Sequence, residues 1–125
     1  MNGVQVMFPG VQVEKSRTVM VVDKLFRRLN PRSLSPFDLM QTWTKIAIKK
    51  ELCQLLTEER YYILYKHPVH PHKDKLFDAE RHDLQEFLLT RFDERKMEGI
   101  DLIVFSLNMN QIIVGNHDGE LYSAI

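Results

Sequence analysis

Residues 99–125, GIDLIVFSLNMNQIIVGNHDGELYSAI, leave this chain little choice of fold. Positions 100–107 are almost continuously apolar: Ile100, Leu102, Ile103, Val104, Phe105 and Leu107. A strand open to water on one side alternates apolar and polar residues, so this run reads as a central strand covered on both faces. Asn108-Met109-Asn110 is a turn, because Asn tolerates left-handed backbone angles. A second strand covers 111–117 through Ile112, Ile113 and Val114. His117-Asp118-Gly119-Glu120 then carries Asp-Gly, the signal of a two-residue hairpin in a type I′ turn, and a third strand follows over 120–124. Gly115, inside the second strand, marks a bulge or a close backbone approach.

The rest of the chain supplies the cover. Val4, Val6, Val11 and Val13 alternate around Pro9-Gly10, so residues 1–14 form an edge strand, a hairpin or an arm. In 17–29, Thr18 to Val22 would suit a strand. Yet Val19, Val22, Leu25, Phe26 and Leu29 share one helical face, and Asp23 and Arg27 stand at i,i+4, so a helix is expected. Ser35-Pro36 with Asp38 opens a second and longest helix, running 37–56. Its buried side holds Phe37, Met40, Trp43 or Thr44, Ala47, Ile48, Leu52, Leu55 and Leu56, with Lys45, Lys49 and Lys50 mostly outward. Residues 59–66, ERYYILYK, are a strand by composition. HPVHPHKDK at 67–75 is a loop. Asp78 caps a third helix over 79–97, with Phe77 packing at its start, Leu84, Phe87, Leu88 and Phe92 inward, and Gly99 as its C-terminal signal.

Helices come early and strands cluster late. The expected fold is therefore α+β: an antiparallel sheet, made of the C-terminal three-strand meander and strand 59–66, covered on one face by about three helices. The 125 residues suit a single domain over 1–125. The apolar fraction of 44% is that of a chain able to build a core, which argues against disorder. No apolar run reaches the ~20 residues of a membrane span, and the start lacks a signal-peptide pattern, so a cytoplasmic protein of a bacterium or virus is expected. Cys53 is the one cysteine, so no internal disulfide and no cysteine metal cluster can form.

The formal net charge is zero, but the halves differ. Residues 1–56 hold nine Lys and Arg against four acids; residues 57–125 hold eight against thirteen. Either the halves attract one another in the folded chain, or the asymmetry steers a partner onto one face. The basic cluster Lys24, Arg27, Arg28 and Arg32, with Phe26, suits phosphates. Asp83, Glu86, Asp93, Glu94, Glu98 and Asp101 form the acidic counterpart, which would mimic phosphates or mask a basic active site.

Few residues suggest catalysis. His67, His70, His72 and Asp74 are donors of the type that grip zinc, but prolines splay them and their spacing matches no metal motif. His117 beside Asp118 and Glu120 has the chemistry of a general base, although turn formation accounts for that pattern. Ser106 and Ser123 lack a nucleophile-elbow context, Cys53 sits beside Leu52 and Leu55 as a packed thiol, and no Gly-rich phosphate loop is present.

Residues 60–124 resemble the small bacterial immunity-type proteins that neutralise a cognate toxin. The resemblance rests on ERYYILYK, on DAERHDLQEFL at 78–88, and on IDLIVFSLNMNQIIVGNHDGELYS at 100–123. There Asp101, the apolar run, Phe105 and Ser106 precede a hairpin ending in His117-Asp118-Gly119-Glu120 and the aromatic Tyr122. Asn110-Gln111 stands where an aromatic is common in that pattern. The resemblance implies a protein that acts by binding another protein, with no catalytic residues and no cofactor. The expected contact groups are Asp83, Glu86, Asp93, Glu94, His117, Asp118, Glu120 and Tyr122, in a monomer or homodimer. The alternatives are a nucleic-acid-binding or regulatory protein using the basic N-terminal half, and a metal-dependent hydrolase using the His67–Asp74 loop.

Overall fold

The architecture is seen in a computed structural model that describes residues 7–29, 44–65, 69–70 and 73–123. The elements run β1 (Val11–Gln12), α1 (Lys15–Leu29), β2 (Thr44–Lys45), α2 (Ile48–Leu55), β3 (Arg60–Tyr65), β4 (Lys75–Glu80), α3 (Arg81–Arg91), β5 (Leu102–Ser106), β6 (Ile112–Gly115) and β7 (Leu121–Ser123). The strands form one antiparallel sheet in the order β1-β4-β3-β5-β6-β7-β2, so the class is α+β.

β5 is the middle strand, and all five of its residues are buried. Successive side chains of a strand point to opposite faces. Leu102 and Val104 accordingly join one core with Ile63, Tyr61 and Ile113, under α2 and α3. Ile103 and Phe105 join the other with Tyr62, Leu64 and Val114, under α1. The helices therefore lie on both faces, where the expectation put them on one. A middle strand as apolar as β5 needs cover on both sides, and α1 supplies the second layer.

α1 is helical through Thr18–Val22. Thr18 is buried, its hydroxyl donating to the Glu14 carbonyl at 2.8 Å, whereas Val19, expected inward, is 62% exposed. α2 is shorter than expected. Lys45 lies on the edge strand β2, and exposed Ala47 is the N-cap, its N–H donating to the Glu51 carboxylate at 2.8 Å. Phe37, Met40 and the Ser35-Pro36 start lie outside the described residues, as does Arg32.

The largest correction falls on 75–80. Asp78 caps no helix; Lys75–Glu80 is strand β4, paired along its whole length with β3, and α3 starts only at Arg81. In KLFDAE, Leu76 enters the α1-side core while Phe77 and Ala79 enter the other, an alternation that pairing with β3 rewards more than a helical start would. The expected helix also ended too late. It stops at Arg91, and 93–98 form a tight turn.

Both expected turns form, with altered detail. In the first, Met109 rather than an Asn takes positive φ (61°), while the Asn108 carboxamide accepts from Ser106 Oγ and the Asn110 N–H. In the second, only Gly119 has positive φ (86°). Asn116 donates its N–H to the Glu120 carbonyl and accepts from Gly119 N–H, so the hairpin is a type I turn closed by a glycine bulge rather than type I′. Gly115 is a close approach: a Cβ there would lie 2.6 Å from the Phe92 ring.

Candidate functional site

After α3, Phe92 plugs the core and the chain reverses at once. Asp93 and Glu98 exchange backbone hydrogen bonds of 2.8 and 3.0 Å. The Asp93 carboxylate accepts from the Arg95 N–H at 3.0 Å, which fixes the turn from inside. Met97, at φ 52°, is its last residue before Glu98. This turn lies directly on the β6–β7 hairpin. A Cβ on Gly119 would stand 2.6 Å from the Asp93 carbonyl oxygen, and one on Gly99 2.3 Å from that of Asn116. Gly99 thus serves backbone-to-backbone contact rather than helix capping. Two turns without intervening side chains form one end of the sheet.

That end gathers carboxylates from three segments: Asp93, Glu94 and Glu98 from the turn, Asp101 ahead of β5, and Asp118 and Glu120 from the hairpin. Lys45 and His117 tie it together, and the exposed Arg95 and Lys96 stand on the same 93–98 turn. Lys45 Nζ reaches across from β2 to Glu94 and Glu120, each at 3.1 Å. Hydrogen bonding to Glu120 and then Glu94 holds the Lys45 ammonium above its usual range. Asn116, donating at 3.1 Å, and Lys45 hold the Glu120 carboxyl below its own. Burial and the Glu120 charge push the Tyr122 phenol up. His117 binds Asp101 twice, by its backbone N–H at 3.0 Å and by Nδ1 at 3.1 Å. The hydrogen bond to Asp101, then the charges of Asp101 and Asp118, raise the imidazole above 6.5.

No protein-family model, curated protein or solved structure matches this chain.

The expected contact residues thus divide. Asp93, Glu94, His117, Asp118, Glu120 and Tyr122 come together on or beside the two turns. Asp83 and Glu86 do not: they face a separate groove of about 400 Å³, shared with Met7, Pro9 and Arg91 along the N-terminal arm. Asp83 is in the first turn of α3, roughly 12 Å along the helix from Arg91. Sequence reasoning missed Lys45, which it placed on a helix, and the pairing of His117 with Asp101, sixteen positions away. The arm's anchor also went unseen. Phe8 stacks on Phe77 at 4.9 Å and meets Tyr65 and Phe87 at 5.3 and 5.4 Å.

His67 and His72 lie outside the described residues; His70 and Asp74 lie within them, flanking Lys73 before β4. Among the described residues no group of three or more His, Cys, Asp or Glu side chains is placed to hold a metal ion, and no helix is long and apolar enough to cross a membrane. Cys53 is exposed and accepts a hydrogen bond from Gln85 Nε2 at 3.0 Å, bridging α2 and α3. Tyr61 and Gln111 are spent on structure. The Tyr61 hydroxyl donates to Gln111 Oε1, and Gln111 Nε2 donates to the Leu55 carbonyl at 2.7 Å, closing the C-terminus of α2 onto the sheet.

Proposed function

We propose that this chain is a protein-binding module and, in its most specific form, an immunity-type inhibitor that docks on a cognate toxin in the bacterial cytoplasm and covers its active site or partner site. One observation carries the reading: carboxylates from three segments are held on two interlocked turns whose backbones fix one another. A surface already rigid loses little entropy on docking. Its charge suits a partner with a basic site, such as a protein that itself grips phosphates, and would speed encounter with it.

The nucleic-acid reading has less support. α1 carries five cations, but Arg27 is paired with Asp23 at 2.9 Å, Arg17 donates to the Tyr62 hydroxyl at 2.8 Å, and Arg28 to the Met109 carbonyl at 2.9 Å.

The test is capture of partners from the source cell by tagged protein, with Glu98→Lys and Asp118→Lys against Asp83→Lys and Glu86→Lys. The reading expects one stoichiometric protein, lost with the first pair of changes and kept with the second. Capture of nucleic acid alone, released by salt, transfers the function to α1.

A further inference from the structure

The arm ahead of α1 lies on the sheet as a ligand lies in a site. Phe8 stacks on Phe77 at 4.9 Å and meets the Tyr65 and Phe87 rings at 5.3 and 5.4 Å. Those three rings come from β3, β4 and α3, so the slot is built without the arm. Two residues on, Gly10 takes φ 84° and runs hard against β4. A Cβ there would stand 2.2 Å from the Asp78 carbonyl oxygen. Val11 and Gln12 then pair with Asp78 and Phe77 as β1. The arm thus engages β4 through three features in a fixed order: a ring, a glycine two places later, and a strand. Its hold is short. β3 pairs with all six residues of β4, whereas β1 pairs with two, and among the described strands β1 is the last on that side of the sheet. The reason is local: α1 begins at Lys15, which stops β1 from running on toward Lys75. A segment not committed to a helix has no such stop.

We propose that the β4 edge and its aromatic slot form a recognition site for an extended segment of another protein, and that residues 7–12 are the self-ligand that fills it. The segment carries an aromatic residue, a glycine two places later and a strand. Backbone pairing along the sheet edge supplies affinity, and the slot supplies selectivity. A tethered arm acts at an effective concentration on the order of 1 mM, so a free segment enters by displacing it. The site lies at the opposite edge of the sheet from β7 and β2, which help build the acidic end. Neither reading therefore depends on the other.

The probe is the arm's own sequence, a capped peptide of residues 7–13, MFPGVQV, added to the full chain. Binding is read by NMR at the β4 amides and the Phe87 ring. The arm is loosened in two independent ways: Phe8→Ala empties the slot, and Gly10→Ala lifts the chain from β4. If one variant fails to fold, the other still carries the test. The expected result is a Kd for the peptide at least about tenfold lower in the loosened proteins than in the wild type, with shifts centred on Leu76, Phe77 and Asp78. Peptides carrying Phe8→Ala or Gly10→Ala should bind the same proteins at least about tenfold more weakly. No binding to a folded, loosened variant overturns the proposal. So does equal binding to the variants and the wild type, which would place the peptide elsewhere. A Gly10→Ala peptide that binds as well as the native one overturns the strand register. Wild-type dimers that the peptide disperses would make a second copy's arm the occupant and overturn the assignment to another protein.

Discussion

At Gly115 the reason for a residue can be read from one distance. A Cβ at that position would stand 2.6 Å from the ring of Phe92, a buried side chain in the core under α2 and α3. Gly115→Ala should therefore cost roughly 1–3 kcal/mol, the usual range for overpacking, as a shift in the denaturation midpoint at unchanged slope. An unmoved midpoint would mean that the ring has room to turn aside. The sequence allowed a bulge or a close approach here, and the approaching ring comes from a helix end that no local pattern connects to it. His117 behaves alike. Its neighbours in sequence, Asp118 and Glu120, drew attention, but the group that holds it is Asp101. Because the folded imidazole titrates above 6.5, its contribution to stability is complete below about pH 6.5, the unfolded value, and is lost as pH rises through the folded one. Asp101→Asn should bring the titration of the His117 ring protons, followed by NMR, back toward the ordinary value. A titration that Asp101→Asn leaves in place would assign the shift to Asp118.

Among the elements, those with a regular apolar period were legible and those decided by pairing were not. α1 follows its stripe of Val22, Leu25, Phe26 and Leu29, and β5 follows its unbroken apolar run. β4 was hidden because Asp78 resembles a helix cap and KLFDAE holds too few apolar residues to show a period of two. Only alignment with Arg60–Tyr65 makes it a strand. β1 owes its place to a side chain outside it. Two residues of pairing with β4 and one further bond, Val13 N–H to the Leu76 carbonyl at 2.8 Å, are a weak hold. Phe8 adds the larger share by filling the slot between Tyr65, Phe77 and Phe87. Phe8→Ala should cost about 2 kcal/mol, close to the burial of one large apolar side chain. It should also speed hydrogen exchange along β4 more than along β5. Equal protection in both strands would show that β1 holds without its anchor.

For the molecule as a whole, the class was legible while the layering was not. Counting strands and helices gives an antiparallel sheet with helical cover, but which face each helix takes depends on the depth of the middle strand. That choice also decides the fate of the divided charge. α1 and α3 lie on opposite faces and so share no surface, and the charge of the first half that meets acids of the second, among the described residues, is Lys45 with Glu94 and Glu120. The candidate site was legible in part for the same reason. The hairpin residues follow one another in the chain, but their meeting with the 93–98 turn depends on glycines whose neighbours are remote in sequence. The strand order has one more consequence, in the order of synthesis. β2 is made early, yet its strand partner is β7, and the pairs Thr44 with Ser123 and Lys45 with Tyr122 join distant parts of the chain. While the ribosome is still reading through β6, β2 has nothing to pair with. That edge of the sheet therefore closes last, when the codons for residues 121–123 have been translated and their strand has left the exit tunnel.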